Sequence, residues 1–414
     1  MQAADRRQRL QALLKLGRMM RGWTRLELSS ELGRDPTKLV PASGNPKLDL
    51  VEALARVLSW PVEEVVYAIR GGDEEDPHDD LERVPFEPEA MSIFIADARR
   101  HRRWEDLRAA GTVLHRQADD GEQRGLGDHL VANAWAGMGC FAVALSVSQR
   151  GLGERGLSFA TRTLLALDSA VSHYALWNLV EAKAIATELL EQLDRRDRSD
   201  RLCRVATAAA HSIRGHARRR EALAEAVPDA AMVNAASDDL ATAEREYRWL
   251  NDDFGDVGDL GRSQVCRGGR LECEAVERGS VERAIEAFVE GLGEVVDLDS
   301  IGEVDLLESH GWWCVFGSNL ALRSQDEVRG VRAMAILTNK CFEIADRLDH
   351  WAMRERSFTL EHFRRQRAWE TEERFDDWVL DAEDLRVLMG TMGRFPRFRP
   401  VGWRILASAG FVDA

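Results

Sequence analysis

Gly151-Leu152-Gly153-Glu154-Arg155-Gly156 has the GxGxxG spacing of a loop whose backbone N–H groups can close on a phosphate. That chemistry needs a strand running into the loop, and Phe141 to Gln149 reads instead as the end of a helix rich in small residues. The six residues are therefore expected to form a turn between helices. No P-loop lysine, HExxH, GxSxG or paired CxxC pattern occurs, and the 10 His are scattered without ligand spacing. The six Cys, at 140, 203, 266, 273, 314 and 341, are too dispersed for a disulfide framework or a zinc knuckle and read as small core hydrophobes. No catalytic residue, metal or cofactor is expected, and an enzyme is disfavoured.

Two aromatic features could bind rather than react. Among the 12 Trp, residues 249, 312, 313, 351, 369, 378 and 403 could line a ligand groove as rigid anchors, although a helical core uses Trp equally well. The tail Arg394 to Leu406, RFPRFRPVGWRIL, interleaves Arg with aromatics and could touch nucleic acid; a segment capping the last apolar edge is the simpler reading.

The elements that must position such residues are helical. The chain is 45% hydrophobic and 31% charged with only 10 Pro, and no stretch alternates apolar and polar residues for long, so an all-α fold is expected and strands have little support. Leu130 to Gln149 is uncharged and about as long as a membrane span, but Asn133 and its Gly and Ser residues make it a poor one, and no membrane partner is expected. The start, MQAADRRQRLQALLKLGRMM, is amphipathic rather than leader-like, which suggests a cytoplasmic protein.

Charge divides the chain. The net of −15 opposes nucleic-acid binding as a whole, yet residues 1–70 hold 12 Lys plus Arg against 8 Asp plus Glu, a net of +4, leaving −19 for the other 344 residues. Residues 71–90 carry nine acidic residues and one Arg and read as a linker acidic enough to compete with DNA for a basic face. The expected domains are thus 1–70, a linker at 71–90, helical repeats at 91–370 and a helical cap at 371–414.

Within the first unit, Leu10, Leu13, Leu14, Leu16 and Met20 recur at helical spacing and Gly22 stops that helix. Thr24 is a good N-cap for a short helix, Arg25 to Leu32, closed by Gly33. Asp35-Pro36 then predicts a third helix, and Leu48 to Leu58 and Pro61 to Ile69 two more. Farther on, Arg262 to Val295 reads as a helical hairpin with its turn at Gly279, its closest approach at Ala284, Phe288 in the groove and Gly291 allowing the next pair to stack.

The segment GWTRLELSSELG, residues 22–33, resembles the Cro and lambda-repressor-like (XRE) helix-turn-helix family, and the likeness extends over about residues 5–70. Arg25 stands where that family usually has Gln. Pro41 falls inside the expected recognition helix and limits it to little more than a turn, and PASGNP at 41–46 replaces the family's usual turn. Residues 262–295 resemble a tetratricopeptide repeat in Leu271, Gly279, Ala284, Phe288 and Gly291, without the usual Trp or closing Pro. The combination resembles the peptide-sensing quorum regulators of bacteria, so the body is expected to form an α-solenoid.

The resemblance implies a recognition helix in the major groove of double-stranded DNA, with basic side chains on phosphates. On this chain the candidates are Arg25, Thr37, Lys38, Ser43 and Lys47. It further implies a homodimer, because one small domain reads too few bases, and a peptide or protein effector on the repeats. The alternative is an interaction scaffold whose first domain has lost DNA binding and now docks a protein.

Overall fold

A computed structural model describes residues 3–41, 45–58, 62–70, 84–85, 87–196, 200–225, 227–292, 304–370 and 378–411. The fold is all-α, and the chain divides into two compact units, Met1–Asp80 and Leu81–Ala414. The acidic segment at 71–83 lies outside the described residues. Val84 is already buried against Ala109, Ala110 and Val113, and the first helix of the second unit opens at Pro88, so the body begins inside the expected linker.

The first unit holds α1 (Ala3–Arg21), α2 (Arg25–Glu31), α3 (Leu48–Leu58) and α4 (Val62–Arg70). Its core follows the helical spacing: Leu10, Leu13 and Leu14 of α1 close on Leu50, Leu54 and Leu58 of α3 and on Val65 and Ile69 of α4. Thr24 caps α2 in a reciprocal capping box, its hydroxyl accepting from the Glu27 amide at 3.3 Å while its own amide donates to Glu27 Oε2 at 2.7 Å.

The helix expected from Pro36 does not form. Among the described residues no helix lies between Glu31 and Leu48, and Pro36 to Val40 make a single turn, closed by Lys38 N–H donating to the Asp35 carbonyl at 2.9 Å, followed by bends. Two local effects explain this. The Asp35 carboxylate accepts from both the amide and the hydroxyl of Thr37, a turn that competes with helix, and Pro41 forbids continuation one turn later.

The second unit runs through α5 (Pro88–Arg100), α6 (Trp104–Gln117), α7 (Gly121–Gly137), α8 (Phe141–Leu152), α9 (Phe159–Ala175), α10 (Leu179–Leu193), α11 (Arg201–Ala224), α12 (Ala230–Phe254), α13 (Val257–Glu277), α14 (Val281–Glu290), α15 (Val304–Ala321), α16 (Glu327–Arg347) and α17 (Trp351–Glu370). From α6 to α13 each helix packs on its successor, and α13 packs next on α15. Aspartates at 120, 200, 229, 256 and 326 each accept from first-turn amides, which stabilises a helix start by about 1 kcal/mol apiece.

The GxGxxG residues turn the chain out of α8 and into α9, with Gly156 at φ +80°. The apolar run Leu130 to Gln149 is split between α7 and α8 by a turn at Gly139, and no described helix is long and apolar enough to cross a membrane. The α13–α14 hairpin turns at Gly279 as expected, and Phe288 is buried with its ring 4.5 Å from that of Trp313. On α13, a Cβ at Gly268 would lie 2.5 Å from the Phe316 ring and one at Gly269 2.7 Å from the His216 ring. These two glycines let α13 back directly onto α15 and α11.

At the end of the chain come α18 (Ala382–Arg394), a short 3-10 turn at Pro396–Phe398 and α19 (Arg399–Ser408). Residues 371–377 lie outside the described set. Strand is as scarce as expected: among the described residues Val379–Leu380 pairs in parallel with Gly410–Phe411. Phe395, Phe398 and Ile405 of the Arg-aromatic tail are buried with Phe141 and Phe358, and Arg394 Nε donates to the Met138 carbonyl at 3.0 Å, so the tail is part of the core.

Candidate functional site

The edge of the first unit that holds the DNA-contact candidates is a turn following α2. Arg25, at the start of α2, is exposed, and its Nη2 donates to the Pro36 carbonyl at 2.8 Å, which ties the helix to the turn. Thr37 is exposed, but its hydroxyl is engaged by Asp35, and this pairing holds the Asp35 carboxyl below the usual carboxylate range. Lys38 follows, exposed, its ammonium without a partner among the described residues. Lys47 is also exposed, in the segment just ahead of α3, and its carbonyl accepts from the Leu50 and Val51 amides. Ser43 lies outside the described residues.

Arg25, Thr37 and Lys38 are thus brought together around one turn, whereas Lys47 stands apart in sequence on the approach to α3. Acidic groups interleave with them. Arg34 pairs with Asp49, and Glu27 is bound to Thr24, which holds its carboxyl below the usual range. The free cations at this edge are therefore few, and the chemistry on offer is phosphate contact from flexible lysines with one positioned guanidinium.

The second unit contains a feature that sequence spacing does not display. A cavity of about 470 Å³ lies among residues of α9, α11, α13, α15 and α17. Its walls include Tyr174, Trp177, Trp312, Phe316 and Phe363, and four arginines, Arg219, Arg220, Arg323 and Arg356. A second cavity of about 450 Å³ shares Tyr174, Arg220, Val265 and Trp312 with it. Volumes of this size suit a small organic molecule.

Two of these arginines, Arg219 and Arg220, belong to a run of three on α11 that begins at Arg218. Arg218 faces Asp239 of α12 at 2.7 Å, alongside Arg214 at 2.6 Å and His211 at 2.9 Å. Arg219, buried, pairs with the buried Glu272 of α13 and sits 4.7 Å over the Phe316 ring. Arg220 meets no carboxylate within ion-pair distance among the described residues. It lies 4.1 Å from the Tyr174 ring and 4.7 Å from the Trp177 ring, with the Tyr174 carbonyl 3.5 Å from Nη1. Burial pushes its pKa down to about 10, with Arg356 and Arg219 adding to the effect against Tyr174 and Glu355.

Two neighbours likewise lack an ion pair. Arg356 Nη2 donates to Asn319 Oδ1 at 3.3 Å, and Arg323 donates to the Leu223 carbonyl, but neither has a carboxylate partner among the described residues. Trp177 is held at φ +66° in the turn between α9 and α10, a conformation costing a bulky L-residue roughly 1–2 kcal/mol. His216, buried in the same wall, stacks on Phe316 with ring centroids 5.7 Å apart and has no hydrogen-bond partner at either nitrogen among the described residues. Burial, then Arg219 and Arg220, hold its pKa well below the ordinary value, so it is neutral at pH 7.

No family model, curated protein or solved structure matches this chain.

Of the Trp residues picked out by sequence, Trp312 reaches a cavity wall, Trp313 donates to the Phe288 carbonyl at 3.1 Å and Trp403 is exposed. The Trp369 side chain lies outside the described residues. Sequence reasoning missed Trp177 and Arg220. The available signal was the run Arg218-Arg219-Arg220 within a helical pattern: successive residues on a helix are about 100° apart, so three cannot share one solvent face.

Proposed function

We propose that this chain is a transcriptional regulator that grips double-stranded DNA through its N-terminal bundle and uses its helical body for an effector, for dimerisation, or for both. The observation that carries the reading is the grouping of Arg25 and Lys38 at one exposed turn beside a capped α2, on a unit that is compact by itself and whose helical part, residues 1–70, has a net charge of +4. With a turn in place of a recognition helix, phosphate contacts supply most of the affinity and base contacts little. Two copies on a two-fold operator restore the specificity that one bundle lacks.

A second reading, a helical adaptor, has its own support. Leu26 and Leu48 of the bundle are 70% and 65% exposed, and apolar groups next to a missing recognition helix suit a docked protein better than a duplex.

Selection of bound fragments from random duplex DNA separates the two. The regulator reading expects an enriched pool whose affinity falls steeply with salt, with Lys38→Ala lowering the salt slope by about 1 and Arg25→Ala weakening binding further by freeing the turn. An unenriched pool overturns that reading in favour of the adaptor.

A further inference from the structure

The body pairs most of the arginines it draws inward with a carboxylate. Arg214 and Arg218 meet Asp239, Arg219 meets Glu272, Arg102 meets Glu308, Arg270 meets Glu244, and Arg364 meets Glu361. Arg220, Arg323 and Arg356 depart from that pattern together, three guanidiniums in one cavity wall whose hydrogen-bond partners among the described residues are neutral oxygens. All three are half-buried, and a positive charge drawn partly out of water without a paired carboxylate is costly, which carbonyl oxygens compensate incompletely. Among the described residues the carboxylate in that wall is Glu272, already committed to Arg219; Glu355, which borders the adjoining cavity, accepts from Thr359 at 3.0 Å.

We infer that this cavity is a receptor site for a small organic anion, a flat apolar ring bearing a carboxylate or phosphate, whose charged head is held by Arg220 and Arg356. The ring has its own place. Tyr174 and Trp177 flank Arg220, Arg356 lies 5.6 Å from the Trp177 ring, and Trp312 and Phe316 supply apolar wall beyond them. A planar guanidinium binds either head group through paired N–H donors, and stacking on an aromatic face leaves those edge donors available to a ligand. Trp177 occupies a left-handed turn position that glycine would fill without strain, and from there it reaches both guanidiniums. Arg220 also borders the adjoining cavity, so a longer ligand could extend past it.

The inference rests on reading the body as an effector receptor and does not require DNA binding. Calorimetric titration of the full chain with 2-naphthoate, 2-naphthyl phosphate and neutral 2-naphthol tests it, because the three share one ring and differ only in the head. At least one anion is expected to bind tenfold or more tightly than 2-naphthol, and the better of the two identifies the head group. Arg220→Met is expected to weaken that anion at least tenfold and leave 2-naphthol unchanged, and Arg356→Gln to weaken it severalfold. Helical circular dichroism checks folding, and if Arg220→Met does not fold the Arg356→Gln arm decides. Three equal affinities, no binding by any of the three, or an anion preference that survives the substitutions overturns the inference. A chain that still enriches duplex DNA after such a failure retains its regulator reading.

Discussion

The two units handle charge in opposite ways. In the bundle, Ser29 is the only buried polar residue among those described, and every arginine and lysine candidate sits on an exposed edge around a leucine and valine core. The body buries Arg219, Arg354, Glu244, Glu272, Glu361 and Asp239 and ties its helices together with them. The lesson is that the bundle's chemistry can be altered at its surface without touching its fold, whereas in the body the ionic groups that hold the helices are neighbours of the groups that line the cavity. Substitutions that keep or erase this contrast are informative.

The largest effect is expected at Glu272→Ala, which strands the buried guanidinium of Arg219 between α11 and α13. A loss of roughly 3–5 kcal/mol is expected by denaturant titration, far more than any surface ion pair supplies. A loss below about 1 kcal/mol would show that water or another group reaches Arg219 and would blur the distinction between the two units.

Next comes Glu308 on α15. Burial alone would raise its pKa, but His350 and Arg102 together hold it well below the usual carboxylate range. Because the folded-state pKa is the depressed one, its stabilisation is fully present above the pKa of an unfolded glutamate and is lost as the pH falls towards the folded value. Glu308→Gln should cost about 2 kcal/mol at neutral pH and less as the pH drops, flattening the acid limb of the stability profile. A constant cost down to pH 3 would contradict the assignment.

The smallest is Thr24→Ala in the bundle, which removes one half of the capping box on α2 and should cost about 1 kcal/mol. Its sharper use is at the DNA edge. If α2 frays, Arg25 loses its hold on the Pro36 carbonyl, so duplex affinity and bundle stability should fall together.

How much of this was legible in the sequence follows from the same contrast. The all-α class, the Thr24 cap, the Gly22 and Gly33 stops, the Gly279 turn and the fate of the GxGxxG residues were readable because each is set by contacts within a few positions of the chain. The third helix was misjudged for a local reason as well: Asp35-Pro36 signals a helix start, but Asp35 also binds Thr37, and Pro41 leaves too few residues for propagation to repay nucleation. The cavity was not readable at all. Tyr174, Arg220, Phe316 and Arg356 lie far apart along the chain, and periodicity says which face of each helix turns inward without saying what it meets there.

The bare backbone of α13 at Gly268 and Gly269 gives the cavity an unusual kind of adjustability. The spacing of the α11, α13 and α15 walls is set there by side chains that are missing, so a single methyl group added at either position must push Phe316 or His216 aside. Descendants of this chain could thus resize the chamber, and change which ring it admits, while every residue that touches the guest stays the same.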